Sequence, residues 1–266
     1  MQSAEQKWNA EDYANNSSAQ LHWARELISK LSLRGYESVL DIGCGDGKIS
    51  TQLSLIVKNG SVVGIDKSEE MICLAKTKFP SDKYPNLSFL HMDATDIHFP
   101  REFDVVFSNA TLHWVKNQLA VLHGARACLK AGGKILLQMG GRGNAADIFG
   151  AMEAVKQSSQ WAPYFGGFTP PYYFYGPEEY QEWLSASGFR GMRVELIPKD
   201  MQHQGVKGLM GWLRTTWFPY TDCLPVELRD TFLAEVVAAY TVAHPIDALG
   251  NTHVRMVRLE AEAYAA

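Results

Sequence analysis

The chain has 266 residues, of which 46% are hydrophobic and 20% are charged, and its formal net charge is −4. This composition belongs to a folded protein with one large core and excludes a fibrous or intrinsically disordered chain. Because a slightly acidic chain has no positive field that gathers phosphates, we expect a small-molecule substrate and no nucleic-acid partner.

The N-terminus and the cysteines indicate the compartment. Residues 1–7 lack the basic patch and apolar core of a signal peptide, and no stretch of about 18 apolar residues occurs in the chain. The four cysteines lie far apart without a Cys-x-x-Cys spacing, which argues against a zinc knuckle or a disulfide framework. We therefore expect a cytoplasmic protein with reduced thiols, no metal and no membrane partner. The sequence leaves the oligomeric state open, and a monomer is compatible with it.

The first predicted element is an amphipathic helix from Trp8 to roughly Leu33. Its apolar side chains recur at helical spacing and include Leu21, Ala24, Leu27, Ile28 and Leu31. We expect this helix to form an N-terminal cap, residues 1–35, in front of the first strand.

A glycine-rich turn follows the apolar run from Ser38 to Leu40. The segment from Asp41 to Gly47 has a glycine at every second position from Gly43 onwards. These glycines let the chain turn sharply after a buried strand and let a ligand lie against bare peptide groups. A nicotinamide-binding Gly-x-Gly-x-x-Gly fingerprint is not met, since the third glycine comes one place early. The carboxylate of Asp41 repels a pyrophosphate and suits a cationic ligand.

Strands and helices alternate from residue 38 to 139, which predicts parallel strands joined by right-handed crossovers. After the first strand, the predicted strands are Ser61 to Ile65, Leu87 to Ala94, Phe103 to Asn109 and a fifth strand that follows a turn within Leu129 to Met139. Asp66 directly follows the strand from Ser61 to Ile65. A carboxylate there offers two oxygens to the neighbouring hydroxyls of a ribose.

These residues resemble the class I S-adenosylmethionine-dependent methyltransferases. The resemblance implies a Rossmann-like, doubly wound, mostly parallel seven-stranded sheet, with S-adenosyl-L-methionine as cofactor and S-adenosyl-L-homocysteine as product. It implies that the glycine loop holds the amino-acid end of the cofactor, Asp66 the ribose, and Met71, Asp93 and Ala94 the adenine. The full set of implied cofactor contacts is Tyr13, Asp41, Gly43, Cys44, Gly45, Asp66, Lys67, Met71, Asp93, Ala94 and Asn109. The alternative is that Asp41, Asp66 and Asp93 merely cap helices that follow the strands.

Residues 140–266 form the predicted substrate side of a single domain, 1–266, whose cofactor core is 36–139. The predicted elements are a helix at 145–158, an aromatic loop from Trp161 to Tyr175, a helix from Pro177 to Ser187, a strand from Met192 to Ile197, helices within 205–244 and a final strand from His253 to Ala261. We expect the helices at about 205–245 to form a lid inserted before the last strand, and the aromatic loop to line an apolar pocket.

The segment from Ser108 to Trp114 resembles the Asn-x-x-Leu-His-Trp segment of small-acid O-methyltransferases, including the trans-aconitate and juvenile hormone acid methyltransferases. The segment from Trp8 to Gln20 is similar to the helix that those enzymes fold over the cofactor. The resemblance implies that Gln20 and Trp114 donate hydrogen bonds to the acceptor carboxylate and that Tyr13 covers the methionine end of the cofactor.

Three alternatives stay open at this point. A carboxylate acceptor needs no base, whereas carbon, nitrogen or other oxygen acceptors in a quinone-type or isoprenoid-type metabolite would use His113 as a base. A non-catalytic S-adenosylmethionine-binding module and a dinucleotide-dependent reductase are the other two. Arg142 and Arg214 are candidate cations for an acceptor with several carboxylates.

Overall fold

The computed structural model describes the backbone from Ser18 to Ala266 and the side chains from Trp23 onwards. The strands are β1 Ser38–Ile42, β2 Ser61–Asp66, β3 Leu87–His91, β4 Phe103–Asn109, β5 Leu129–Gly140, β6 Phe189–Gln204 and β7 Asn251–Ala265. The helices are α1 Ser18–Lys30, α2 Lys48–Ile56, α3 Glu69–Lys78, α4 Gln118–Cys128, α5 Ala146–Lys156, α6 Pro177–Ala186, α7 Gly205–Thr216, α8 Phe218–Thr221 and α9 Val226–Ala243. Short 3₁₀ turns cover Leu112–Trp114 and Ala162–Phe165.

The strands of the described chain form one seven-stranded sheet in the order β3-β2-β1-β4-β5-β7-β6. Strands β1 to β5 pair in parallel, and β7 pairs antiparallel with β5. The strand order reverses between β1 and β4, so a crevice opens beyond the carboxyl ends of these two strands. The predicted doubly wound, mostly parallel fold is confirmed.

Both faces of the central strands are buried, as expected for parallel strands covered by helices on each side. Leu40 and Ile42 of β1 belong to the apolar cluster that also contains α4 and α6 residues. Val39 lies in the opposite cluster, together with Leu27 of α1 and Leu53 of α2. Because the side chains of β1 alternate between these two clusters, a slip of one residue would exchange the side chains that pack in each cluster, so the packing fixes the register of β1.

Several strands differ from the boundaries expected from the sequence: β3 ends at His91 before Ala94, and β7 extends beyond the expected His253 to Ala261 at both ends. β5 already begins at Leu129, and the predicted turn is a bulge in which Gly132 has φ +72° and the register shifts between Phe103 and Val105. β6 extends well beyond Ile197 as the outermost strand of the sheet. An edge strand tolerates a proline and many polar side chains, which hide its pattern in the sequence.

The described residues group into two compact units. The sheet unit comprises 20–142, 172–197 and 258–266, and the helical unit comprises 143–171 and 198–257. In the helical unit, Trp161 is fully buried and donates its indole N–H to Glu235 at 2.7 Å, and its ring packs edge-on against Phe232.

Within the described residues, no helix has the length and apolar character needed to span a membrane. The single domain expected from the sequence stays a prediction.

Candidate active site

Each of the three glycines in the loop after β1 has a positive φ, but a glycine is needed at these positions for different physical reasons. A Cβ on Gly43 would lie 2.0 Å from Cγ2 of Thr111, and one on Gly47 would lie 2.6 Å from Cζ of Phe89. A Cβ on Gly45 would meet no atom within 4 Å in the described part of the chain. Gly43 and Gly47 therefore allow close packing, whereas Gly45 presents bare backbone to open space that a ligand can fill.

The loop is held at the carboxyl end of β2. The backbone N–H groups of Gly43 and Cys44 both donate to the carbonyl of Ile65, at 2.8 and 3.0 Å. The hydroxyl of Thr111 donates to the carbonyl of Gly43 at 3.0 Å. These contacts fix the loop between the ends of β2 and β4, which is where the reversal of strand order opens the crevice.

Asp66 bridges two parts of the site. Its Oδ2 accepts the N–H of Gly45 at 3.0 Å, and its Oδ1 accepts the N–H of Ser68 at 2.9 Å. Burial raises the pKa of Asp66, while these two hydrogen bonds oppose the rise. A carboxylate has about four lone-pair positions, so it keeps acceptor capacity for two ligand hydroxyls. The geometry suits the ribose contact expected of it.

Asp41 is almost completely buried, with 2% of its surface exposed. Ser50 at the start of α2 donates to its Oδ2 at 2.6 Å. Burial, with a further contribution from the negative charge of Asp66, raises the pKa of Asp41 to about 7. A cation bound beside the loop would restore the ionised form, because an opposite charge lowers the pKa of a carboxyl group.

Cys44 is a buried free thiol inside the loop. The Cβ and Sγ of Cys44 would lie within 3.0 Å of a side chain on Gly64, so the thiol packs directly on bare backbone of β2. Burial raises the pKa of Cys44 well above its usual range, which keeps the thiol protonated and unreactive. The contacts of Cys44 are those of a packing residue.

The residues expected at the adenine lie on α3 and after β3. Met71 is buried on α3, and Lys67 is exposed just before that helix. Asp93 is exposed, and its Oδ1 accepts both the N–H and the hydroxyl of Thr95 at 2.7 Å. Ala94 is half-buried. Asp93 thus stabilises its own turn, and its role toward a ligand stays a prediction.

Asn109 ends β4 beside the glycine loop. Its side-chain Oδ1 is buried and has no hydrogen-bond partner among the residues that the structure describes. The next residue, Ala110, has φ +58°, an uncommon conformation for a residue with a Cβ. An orphaned buried amide oxygen costs about 1–3 kcal/mol, so this position favours a ligand that brings an N–H donor, such as an ammonium group.

His113 lies in the 3₁₀ turn after β4, whose first residue, Leu112, is anchored in the core. The N–H of Gly140 approaches Nδ1 of His113 at 3.4 Å, which places the proton of the neutral ring on Nε2. Protein atoms surround most of the ring. Burial, with a further contribution from the positive charge of Arg258, lowers the pKa of His113 to about 3.

Trp114 packs against aromatic rings of the segment that precedes α6. Its ring centroid lies 4.7 Å from that of Tyr172, which in turn stacks on Phe174 at 5.9 Å. The backbone N–H of Tyr173 donates to the carbonyl of His113 at 2.8 Å. The aromatic loop expected to line a pocket is therefore divided, because its first half supplies core residues of the helical unit and its second half lies on the turn 112–114.

The two arginines considered from the sequence already neutralise carboxylates. Arg142 forms ion pairs with Glu178 and Glu179 at 3.1 and 2.8 Å. Arg214 forms one with Asp230 at 3.0 Å. Both side chains are about half exposed, so water screens their charges.

Arg258 is a buried cation close to His113 whose place could not be expected from a motif in the sequence. It lies on β7 opposite Gly140 of β5, and only 4% of its surface is exposed. Its guanidinium carbon lies 5.7 Å from the ring centroid of Trp23. The signal in the sequence was the alternation along β7, because Val254 and Met256 define a buried face that position 258 continues.

Two predicted contacts lie outside the described part of the chain. Tyr13 precedes the first described residue, and Gln20 lies on α1 but its side chain is not described. Among the described residues, no group of three or more His, Cys, Asp or Glu side chains could hold a metal ion.

Comparison with known proteins identifies the family. A family model described as a methyltransferase domain matches residues 39–133. The uncharacterized methyltransferase C70.08c from Schizosaccharomyces pombe is 30% identical over 216 residues, which are 79% of this chain and 80% of that protein. A trans-aconitate 2-methyltransferase from Variovorax paradoxus is 26% identical over 256 residues, which are 95% of this chain and 96% of that protein.

A solved structure has the same fold. The phosphoethanolamine N-methyltransferase 2 of Haemonchus contortus, in complex with S-adenosyl-L-methionine, superposes with a TM-score of 0.63 at 18% identity, over 97% of this chain and 57% of that chain. The sheet order, the glycine loop and the relatives agree. The chain belongs to the S-adenosylmethionine-dependent methyltransferases, and S-adenosyl-L-methionine is its cofactor.

Proposed function

We propose that this methyltransferase transfers a methyl group to a carboxylate oxygen of a small organic acid. The observation that carries the proposal is the state of His113, whose pKa is lowered to about 3 at the end of β4. A general base works best with a pKa near the working pH. His113 is the histidine of the described turn 112–114, and it stays neutral. Such a site suits an acceptor that has no proton to lose and needs only to be oriented.

The described residues fit the cofactor. Gly45 offers open backbone, Asp66 keeps acceptor capacity for a ribose diol, and the orphaned Oδ1 of Asn109 suits an ammonium donor. Asp41 lies next to the same loop, and a bound cation would favour its ionised form. When bound, S-adenosyl-L-methionine supplies an electrophilic methyl group, and displacement by the acceptor oxygen leaves the electron pair of the broken carbon–sulfur bond on sulfur.

The chain's own task is then to align the acceptor and exclude water, which can lower the barrier by several kcal/mol. Trp114 would donate its indole N–H to one carboxylate oxygen, and Gln20 would donate its amide N–H. The ring of Tyr172, which itself stacks on Phe174, packs against the Trp114 ring. Relatives named trans-aconitate 2-methyltransferase, which match 95% of this chain, support an acid as the acceptor.

The chemical stability of the product tests this function. The enzyme is incubated with S-adenosyl-L-methionine carrying a labelled methyl group and with a panel of carboxylic acids that includes trans-aconitate. A methyl ester releases volatile labelled methanol in mild base, whereas a methyl group on carbon or nitrogen stays attached. We expect base-labile label.

A pair of variants connects the product to the site. Trp114→Phe removes the indole donor and should raise the KM for the acid while cofactor affinity is retained. Trp183→Phe is the matched control, because Trp183 packs on Tyr175 and Tyr180 of its own region. Base-stable label, or equal KM values for the two variants, would contradict the proposal.

A further inference from the structure

The turn that carries His113 and Trp114 is held by a side chain that follows it in the sequence. Gln118 is the first residue of α4, yet only 2% of its surface is exposed. Its Nε2 donates to the carbonyl of Leu112 at 2.8 Å and to the carbonyl of Val115 at 2.5 Å. One buried amide group therefore spans the turn from its first residue to the residue after its last.

A tyrosine on α6 holds the other side of this amide. Tyr180 is fully buried, and its hydroxyl donates to Oε1 of Gln118 and contacts Sδ of Met139 at 3.1 Å. Burial raises the pKa of Tyr180 above its ordinary range, so the hydroxyl keeps its proton. Turning the amide over would set its oxygen against two carbonyl oxygens, so these contacts define one orientation of Gln118.

The segment that precedes α6 holds two further carbonyls of the same region. The backbone N–H of Tyr173 donates to the carbonyl of His113 at 2.8 Å, and the hydroxyl of Tyr175 donates to the carbonyl of Lys116 at 3.3 Å. Within this set of donors, Gln118 is the one that reaches two carbonyls. Its loss would therefore free more of the turn than the loss of either tyrosine contact.

We propose that Gln118 and Tyr180 are positioning residues for the methyl transfer, because they hold the turn 112–114 in the geometry that aligns the acceptor with the methyl group. This inference rests on the proposed function, in which Trp114 orients the acceptor. A transfer without a base depends on alignment, and a displacement of about 1 Å can cost about a hundredfold in rate. Tyr180 acts through Gln118, and Gln118 acts through the backbone of the turn.

The sheet unit contains a matched control for Gln118. Asn86 directly precedes β3, and its Nδ2 also donates to two backbone carbonyls, those of Ser54 at 3.0 Å and Val57 at 2.9 Å. Asn86 lies at the amino end of a parallel strand, whereas the turn follows the carboxyl end of β4. Gln118→Met and Asn86→Leu each replace an amide by an apolar side chain of similar size, so both should lower the unfolding temperature.

A kinetic measurement separates positioning from stability. It determines kcat/KM for methyl-ester formation with the best acid of the panel, well below the unfolding temperature of each variant. Gln118→Met should lower kcat/KM about tenfold or more while the affinity for S-adenosyl-L-homocysteine is unchanged. Asn86→Leu should change neither quantity.

A spectroscopic measurement reports on the turn without turnover. The NMR resonance of the Trp114 indole N–H is identified among those of the seven tryptophans by its absence in Trp114→Phe. It should shift in Gln118→Met, because the turn has lost two hydrogen bonds. In Asn86→Leu it should keep its wild-type position.

The variant Tyr180→Phe tests the pair by a milder change, since it removes only the hydroxyl. It should lower kcat/KM less than Gln118→Met does. In the Gln118→Met background it should cause no further loss, because residues that act as a unit are not additive. Additive losses would show that Tyr180 does not act through Gln118 and would overturn the pairing.

An unshifted indole resonance in Gln118→Met would overturn the inference, as would a loss of kcat/KM no greater than that of Asn86→Leu. If Gln118→Met does not fold, wild-type resonance and kcat/KM in Tyr180→Phe would overturn it. Failure of the proposed function has a different signature. A shifted resonance in a protein that forms no ester from any acid would support the role of Gln118 in placing the turn and contradict only the methylation of a carboxylate.

Discussion

Among single residues, Asp66 is the predicted cofactor contact with the best-defined hydrogen bonds. Its two oxygens accept N–H groups from Gly45 and Ser68, so the carboxylate is aimed before any ligand arrives. Asp66→Ala should weaken S-adenosyl-L-homocysteine binding about tenfold or more, because hydrogen bonds to a charged group are worth about 1.5–3 kcal/mol each. Calorimetry measures the loss. Asp96→Ala, at an exposed position, is the control, and an affinity equal to that of the control would refute the ribose assignment.

Asp41 should make the stability of the cofactor-free protein depend on pH. Its folded pKa of about 7 lies above the ordinary value of 3.8, so the folded state binds a proton that the unfolded state has already lost in this range. Asp41 therefore contributes stability below pH 4 that is lost as the pH rises toward 7, at up to about 1.4 kcal/mol per pH unit.

The comparison with Asp41→Asn isolates this contribution. Relative to that variant, the wild type should lose stability in thermal unfolding between pH 5 and 7, and a saturating cationic cofactor should reduce the loss. Parallel pH curves for the two proteins would show that Asp41 does not titrate in this range.

Among the structural elements, the glycine loop contains one glycine whose substitution should affect folding and another whose substitution should affect cofactor binding. Gly47→Ala places a Cβ against Phe89 and should lower the unfolding temperature. Gly45→Ala projects a Cβ into open space, so its cost to folding is limited to about 1–2 kcal/mol of backbone strain at φ +52°. It should nevertheless weaken cofactor binding strongly.

Gly132→Ala is the matched control for Gly45→Ala. Gly132 also has a positive φ, in the bulge of β5, and a Cβ there would meet no atom within 4 Å in the described chain. It should show the backbone strain with unchanged affinity for S-adenosyl-L-homocysteine. Equal affinities of the two variants would mean that Gly45 does not face the cofactor.

At the scale of the whole molecule, Glu260 joins distant parts of the sheet unit. Its fully buried carboxylate contacts Lys30 of α1, Arg193 of β6 and Gln138 of β5. Glu260→Gln leaves two cations beside a neutral amide and should destabilise the fold by about 3 kcal/mol. Denaturant unfolding measures this. Glu195→Gln, which removes an ion pair with Arg193 at an exposed site, is the control, and equal losses would refute the role of Glu260.

The sign of the pH effect follows from the pKa of Glu260. Its hydrogen bonds to Lys30 and Arg193 outweigh burial and lower this pKa below the ordinary 4.5. The stability from Glu260 is therefore present above about pH 4.5 and is lost as the pH falls through the lower folded value. The difference between wild type and Glu260→Gln should shrink in acid.

The sequence predicted what depends on local pattern. The loop from Asp41 to Gly47, the strand ends and the parallel core follow from glycine spacing and apolar runs, which neighbouring residues determine. Alternation along β7 indicates that position 258 is buried, but its position opposite Gly140 depends on β7 pairing with β5, more than a hundred residues earlier in the chain. The extent of β6 was hidden for the same reason, since an edge position is a property of the whole sheet.

We propose that this methyltransferase acts on an acceptor with no proton to remove. The most direct test is the pH dependence of the single-turnover rate with saturating cofactor and acid. Because His113 is neutral with a pKa of about 3, and the acceptor is already ionised, we expect a flat rate from pH 6 to 8. A rate that rises with pH across this range, close to tenfold per unit at its steepest, would show that a base is required and would contradict the account.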